Sequence, residues 1–385
     1  MAPPDSLSDF IEYKYRSDGP HTKRLLIFFL PGNPGVVEYY RDFLSDLHKD
    51  LTNDGPVTQP SARKDSLQER IPHITTYGHS LAGFELQASW PSSRDESWPV
   101  CMRDGPPFDL YQQIEGVKFR LNEAVRRYND RVDDDAEPLK VVLVGHSVGS
   151  YMLMEVVDWW QREIAGEGKG LEKTAKWEVV SGVCLFPTVV DIVKSPKGKV
   201  MKWVLAIPGL QWAAWLLATL LTTLISPIRI WNWPAELTPG SNPSSANTAI
   251  TAALLHSPLG VRQTIHLAAD EMRQIQHDKW HPSNVWGASD PDIDITETSV
   301  KASAASPRTK LFFYWGRDDY WVDNSSRDRV IEKRARRVDG AGQGGRPTMV
   351  VDRHGMDHCF SLERAHGKIV AGQVAEWVRE VVGGS

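Results

Sequence analysis

The stretch that most constrains this chain begins at Lys140. An unbroken apolar run, residues 141–144, passes directly into Gly145-His146-Ser147-Val148-Gly149, and Val148, Met152, Val156 and Val157 then recur at helical spacing. An apolar run without polar alternation suits a strand covered on both faces, and the spacing that follows suits a helix packed on a sheet. The sequence therefore predicts a buried strand, a sharp turn and a helix. At such a turn the serine takes a strained backbone conformation, while the flanking glycines allow strand and helix to pack closely. Ser147 is the candidate nucleophile, held out at the carboxyl edge of the sheet. The Val148 amide, near the helix N-terminus, is placed to donate to a developing oxyanion.

The 385 residues suffice for one large domain with insertions and a substantial core. With 44 basic and 49 acidic residues spread along the chain, the net charge of −5 offers no surface for a polyanion, so nucleic acid is not an expected partner. Cys101, Cys184 and Cys359 are too few and too scattered for a disulfide framework, which suits a reducing compartment. The first residues contain prolines and charges and do not read as a secretory signal.

Strand and helix patterns alternate through the first half. Two strands are expected over 10–15 and 23–30, joined by Ser17-Asp18-Gly19-Pro20, followed by the loop Pro31-Gly32-Asn33-Pro34-Gly35 and a helix over 36–51. A weak strand over 71–77 comes next, then a helix capped by Asp109 and carrying Leu110, Ile114, Val117, Leu121 and Val125 on one face. Residues 53–70 read as a polar loop. After the Ser147 turn, strands are expected over 179–185, 310–315 and 348–352, with a closing helix over 363–382. Such alternation argues for a mainly parallel sheet covered by helices. Because the strands return after a long interval, the chain reads as one α/β domain spanning 1–385. Residues 188–307 form an inserted cap within it.

That insertion holds the most apolar segment, residues 203–225, which carries no formal charge and includes Trp203, Trp212, Trp215, Leu216, Leu220 and Leu224. Pro208 and Gly209 interrupt it, leaving about 15 continuous apolar residues where a membrane span needs about 20. Lys194, Lys197, Lys199 and Lys202 precede it, and the tryptophans suit an interface where a ring sits half wet. The expectation is a segment that dips into a membrane surface from one side; a buried lid helix is the alternative.

A serine at such a turn needs a base, and the base needs a group that fixes its tautomer. Gly316-Arg317-Asp318-Asp319-Tyr320-Trp321 follows one predicted strand and supplies the acid: Asp319 is favoured by its spacing, with Asp318 as the alternative. His358 follows the last predicted strand and is favoured over His354 and His366 as the base. Ser, Asp, His is the chain order of an α/β-hydrolase sheet. The second oxyanion donor is expected from the backbone of Asn33. Gly78-His79-Ser80-Leu81-Ala82-Gly83 imitates the turn without the following helix, so Ser80 is a decoy as nucleophile, though His79 or Ser80 remains a candidate for lining the pocket. His354 and His358 stand four apart, but without a neighbouring glutamate and with Gly355 between them they do not make a zinc pair, and no cofactor or metal is expected.

Taken together, Leu30-Pro31-Gly32-Asn33-Pro34-Gly35 with Tyr39-Tyr40, Gly145-His146-Ser147-Val148-Gly149, Leu185-Phe186-Pro187-Thr188, the Gly316 to Trp321 turn and His358-Cys359-Phe360 resemble the lipid droplet-associated hydrolase family of the α/β-hydrolases. The resemblance implies a triad of Ser147, Asp319 and His358. It implies the endoplasmic reticulum and lipid droplets as location, on the cytosolic face, with the apolar insert as anchor. Hydrolysis of lipid esters is the implied activity, with sterol esters as one substrate proposed for the family. Two other functions stay open from the residues alone: a droplet surface protein of little turnover, and a soluble hydrolase of small esters or thioesters.

Overall fold

A computed structural model describes residues 7–16, 23–52, 73–86, 97–129, 137–164, 177–210, 212–217, 245–257, 259–280, 285–286, 309–336 and 346–383. Among the described residues, seven strands form one sheet: β1 (Phe10–Arg16), β2 (Arg24–Leu30), β3 (His73–His79), β4 (Leu139–His146), β5 (Trp177–Leu185), β6 (Lys310–Trp315) and β7 (Thr348–Val351), in the spatial order β1-β3-β2-β4-β5-β6-β7. Only β1 runs antiparallel; every other pairing is parallel.

The two first strands are therefore not a hairpin. β3 lies between them, and β1 pairs with it in the register Phe10 to His79. β2, buried at every position, needs a neighbour on each side, and only a central place in the sheet supplies two.

Successive residues of the central strands feed two opposite cores, as the two-residue period of a strand requires. Leu26, Phe28 and Leu30 of β2, with Val141 and Leu143 of β4, face α2 (Leu110–Asn129) and α3 (Val148–Ile164). Leu25, Ile27 and Phe29, with Val142 and Val144, face α1 (Arg41–Thr52) and α8 (Arg364–Gly383). The expected cap of α2 is present: Asp109 Oδ1 accepts from the Gln112 amide at 2.8 Å while the Gln112 side chain accepts from the Asp109 amide at 2.9 Å.

Because β5 and β6 are direct neighbours, the described residues between them are an excursion from the sheet. Its described helices are α4 (Pro196–Leu205), a short helical stretch at 212–217, α5 (Ser245–His256) and α6 (Gly260–Gln274). α7 (Asn324–Arg334) follows β6. The later part of the excursion is built into the main body. Leu267, Met272, Ile275, Trp280 and Trp286 join the same core as α3 and β6. The Gln263 carboxamide bonds both the amide and the carbonyl of Phe108, and Asp270 Oδ2 accepts from the Leu110 amide.

The earlier part is different. Pro208 and Gly209 do interrupt the apolar segment, but its first residues belong to α4, which begins at Pro196 and so carries Lys197, Lys199 and Lys202 on the same helix. Met201 and Leu205 pack inward, whereas Val200, Trp203, Val204 and Ile207 stand out into solvent, with Val200 63% and Trp203 75% exposed. Positions 200, 203 and 204 are the i, i+3, i+4 pattern of one face of α4, and Ile207 lies two residues past its end. Trp212, Leu216 and Leu217 are also exposed, and Trp215 packs edge-on to Trp212. Leu220, Leu224, Trp231 and Trp233, together with the 53–70 loop, the acidic turn at 133–135 and most of the loops at 281–307 and 336–347, lie outside the described residues. Among the described residues, no helix is long and apolar enough to cross a membrane.

Candidate active site

β4 ends at His146 and α3 starts at Val148, so a single residue, Ser147, makes the turn. Its φ is +54°, a left-handed conformation that costs a non-glycine residue about 1–2 kcal/mol. The strain is held from several sides: the Ser147 amide donates to the Leu185 carbonyl at 3.0 Å, and its carbonyl accepts from Ser150 at 2.9 Å. Both flanking glycines are required. A Cβ at Gly149 would lie 2.3 Å from the Leu30 carbonyl oxygen, and one at Gly145 would lie 2.5 Å from the Gly149 carbonyl oxygen. The helix can leave the sheet this tightly only without those carbons.

Three side chains from three separate strand ends meet at the turn. His358 Nε2 is 2.8 Å from Ser147 Oγ, and His358 Nδ1 is 2.7 Å from Asp319 Oδ2. The other carboxylate oxygen, Asp319 Oδ1, accepts from the Trp321 amide at 2.8 Å, which aims the carboxylate at the ring. All three are buried. Asp318 is exposed and lies 3.4 Å from Asn324 Nδ2, His354 is exposed, and His366 sits on α8 beside Glu363. Burial thus separates the acid and the base from their sequence neighbours. Gly316 makes room here as well, since a Cβ there would lie 3.1 Å from Asp319 Cβ.

A second hydrogen-bonded chain supports the first. The Gly32 amide donates to the Tyr40 hydroxyl at 3.1 Å, that hydroxyl is 2.7 Å from His146 Nδ1, and His146 Nε2 is 2.9 Å from the His358 carbonyl. A carbonyl can only accept, so Nε2 carries the ring proton and the Tyr40 hydroxyl donates to Nδ1. Burial and the neighbouring His358 hold His146 well below the ordinary histidine range, so its ring stays neutral. Tyr40 and His146 were legible as motif members but carried no role in the sequence.

The Gly32 to Gly35 loop lies against the serine: a Cβ at Gly32 would come within 3.1 Å of Ser147 Cβ. With the Gly32 amide committed to Tyr40, Asn33 is the next backbone donor of the loop. The Asn33 side chain turns the other way, donating from Nδ2 to the Thr264 carbonyl at 3.1 Å and to Glu271 Oε1 at 2.9 Å. Both acceptors are on α6. Burial pushes the Glu271 carboxyl up to about 8, partly offset by the Asn33 bond. Val148, as the first residue of α3, has no i−4 carbonyl within its helix.

Ser80 ties two segments together. It is fully buried, and its hydroxyl accepts from the Val37 amide at 3.1 Å. His79 donates to the Ser80 carbonyl and stacks on Phe10, with its pKa lowered to about 3 by burial and by Arg120. No group of histidine, cysteine and carboxylate side chains suited to a metal occurs among the described residues.

A mainly parallel sheet with a serine at a strand-to-helix elbow, an acid after β6 and a histidine after β7 defines an α/β-hydrolase fold. The crystal structure of an ancestral haloalkane dehalogenase has the same architecture, with a TM-score of 0.51 and 11% identity over 99% of each chain. The sequence profile of lipid-droplet associated hydrolases matches residues 23–361. The lipid droplet-associated hydrolase of Gallus gallus is 21% identical over 365 residues, covering 95% of this chain and 88% of the relative. That of Homo sapiens is 26% identical over 206 residues, covering 53% of this chain and 48% of the relative. The chain belongs to the lipid droplet-associated hydrolase family.

Proposed function

We propose that this protein is a serine ester hydrolase acting on lipid esters, sterol esters among them, at the surface of lipid droplets and the cytosolic face of the endoplasmic reticulum. The observation that carries the chemistry is the buried line Ser147 Oγ, His358, Asp319, with contacts of 2.8 and 2.7 Å. Such contacts suit a nucleophile, a base and an orienting acid. His358 takes the Ser147 proton as Oγ attacks the ester carbonyl, and the Asn33 and Val148 amides hold the oxyanion. The alcohol leaves with the proton from His358. Water, activated by His358, then hydrolyses the acyl-enzyme, and the fatty acid departs.

The exposed stripe Val200, Trp203, Val204 and Ile207 supports the location. A droplet has a monolayer over oil and no far aqueous side, so a one-sided apolar face suits it better than a span. Full burial of each such side chain yields roughly 1.5–3 kcal/mol, and the stripe is only partly exposed to begin with. Its total is on the order of 5 kcal/mol, which corresponds to binding at roughly a few tenths of a millimolar. One such signal is marginal; stable residence takes a second.

The test is covalent labelling by a fluorophosphonate probe in the presence of lipid droplets, comparing wild type with Ser147→Ala and Ser80→Ala. Labelling lost only in Ser147→Ala is expected. A folded, droplet-bound wild type that takes no label would overturn the hydrolase reading.

A further inference from the structure

A groove of about 570 Å³ opens between α4 and α6, away from Ser147 and its partners. Lys194, Lys202 and Arg273 line it with Asp191, and Leu205 and Met272 form part of its apolar wall. Asp191 is already engaged. Its Oδ2 accepts from Ser326 Oγ at 2.7 Å, its Oδ1 is 2.8 Å from Lys194, and Arg329 approaches at 3.6 Å. Arg273 has a longer contact to Asp270, 3.5 Å, and that carboxylate also accepts from the Leu110 amide. Lys202 forms no ion pair among the described residues; its ammonium lies 5.9 Å from the Trp203 ring. Three cations against Asp191 and the neighbouring Asp270 leave the groove net positive, with Lys202 as its unpaired charge among the described residues. An anion placed there meets a half-apolar wall, which a free inorganic ion has no use for and a phospholipid glycerol does.

Position adds to the argument. Lys202 precedes Trp203 on α4, so the groove opens on the flank of the same helix that turns Val200, Trp203 and Val204 to solvent, with exposed Ile207 just past its end. If that stripe enters a monolayer, the groove sits at headgroup depth beside it. We infer that the groove between α4 and α6 binds the headgroup of an acidic phospholipid, with Lys202 and Arg273 on the phosphate and Leu205 and Met272 against the glycerol. This rests on the lipid-surface reading above and supplies the second signal that the stripe lacks. Basic side chains near an anionic surface each strengthen association several-fold, and a defined groove adds selectivity to that general attraction.

The experiment is flotation of the full chain with vesicles of phosphatidylcholine alone, and of phosphatidylcholine with about one-fifth phosphatidylserine. Wild type is expected to bind the acidic vesicles about tenfold more tightly than the neutral ones. Lys202→Glu and Arg273→Gln should each remove most of that preference while leaving binding to neutral vesicles unchanged. Lys199→Glu makes the same charge change on α4 outside the groove and should remove little. Equal losses in Lys199→Glu and Lys202→Glu would overturn the groove in favour of diffuse attraction. So would unchanged binding in both groove variants, or full competition by millimolar inorganic phosphate, which would reassign the groove to a soluble anion. Wild type that floats with neither vesicle would overturn the lipid-surface reading itself, a result distinct from loss of acidic preference alone.

Discussion

His146 Nε2 donates to the main-chain carbonyl of His358 across 2.9 Å, although the two residues are 212 positions apart in the chain. The residue that precedes the candidate nucleophile thus holds the backbone of the residue proposed as its base. Tyr40 fixes the other end of the ring, and the phenol in turn holds Gly32 of the loop beside Ser147. Loop, elbow and histidine are therefore registered through one phenol and one neutral imidazole. Around them Phe186 stacks on Phe360 with ring centres 5.4 Å apart and meets His358 edge-on.

Tyr40→Phe tests this registration. The variant keeps the ring but removes the donor to His146 and the acceptor for Gly32, leaving two buried polar groups without partners at about 1–3 kcal/mol each. The melting temperature should fall, and the rate of fluorophosphonate labelling should fall with little change in probe affinity. Unchanged melting and labelling would show that the phenol does not register the site.

Asp319→Asn and Asp318→Asn separate the two acids. An asparagine at 319 cannot hold the His358 tautomer in the same way, and if Asp319 is the orienting acid a loss of turnover by about 10⁴-fold is expected. Asp318 is exposed and meets Asn324 at the surface, so its variant should stay within about twofold of wild type. Steady-state ester hydrolysis distinguishes them, and equal losses would reject Asp319 as the orienting acid.

Glu271 gives a pH prediction. Its carboxyl titrates near 8 when folded, against an ordinary value of 4.5. Below about pH 4.5 both folded and unfolded chains carry the proton, and the benefit to the folded state is complete. As pH rises toward 8 the unfolded chain has released the proton while the folded chain retains it, so this stability is lost progressively, by up to a few kcal/mol. Glu271→Gln keeps an acceptor for Asn33 and removes the titration. Between about pH 6 and about pH 9 its melting temperature should fall less than that of wild type; parallel curves would show that Glu271 carries none of the slope.

Trp203→Glu and Val200→Glu place charge in the exposed stripe, where neither side chain contributes to a core. Both should fold as wild type and retain labelling of Ser147 in detergent. Their recovery with lipid droplets should drop by about tenfold, measured by flotation, because a carboxylate replaces apolar area at the interface. Full recovery with droplets would remove the stripe from the account of attachment. The stripe is mechanically close to the chemistry: the Lys197 amide of α4 donates to the Tyr320 carbonyl at 2.9 Å, next to Asp319, and the Lys197 ammonium lies 3.7 Å from the centre of the Tyr320 ring.

Much of the framework was legible from local pattern. The elbow declares itself because a buried strand, two glycines and a helix occupy consecutive residues, and each glycine answers to a clash with a neighbouring carbonyl. The order Ser147, Asp319, His358 follows from the order of strand ends. The α2 cap and the closing helix α8 were likewise carried by side chains within a few residues of one another.

What the local pattern could not hold was pairing between distant segments. It suggested that β1 and β2 were joined as neighbours, whereas β3 separates them, because adjacency in a sheet depends on crossovers and not on the turn between two strands. It could not show Asn33 reaching Glu271, 238 residues away, or reveal that Ser80 spends its hydroxyl on Val37. Periodicity reports which face of an element is apolar; the partner of a buried polar group is decided by whatever the completed fold brings within about 3 Å of it. The α4 stripe shows the same division. An apolar segment beginning at Trp203 was legible in the sequence, but only the tertiary structure put Trp203 on a helix with Val200 and Val204 facing outward, because Met201 and Leu205 take the contact with the core.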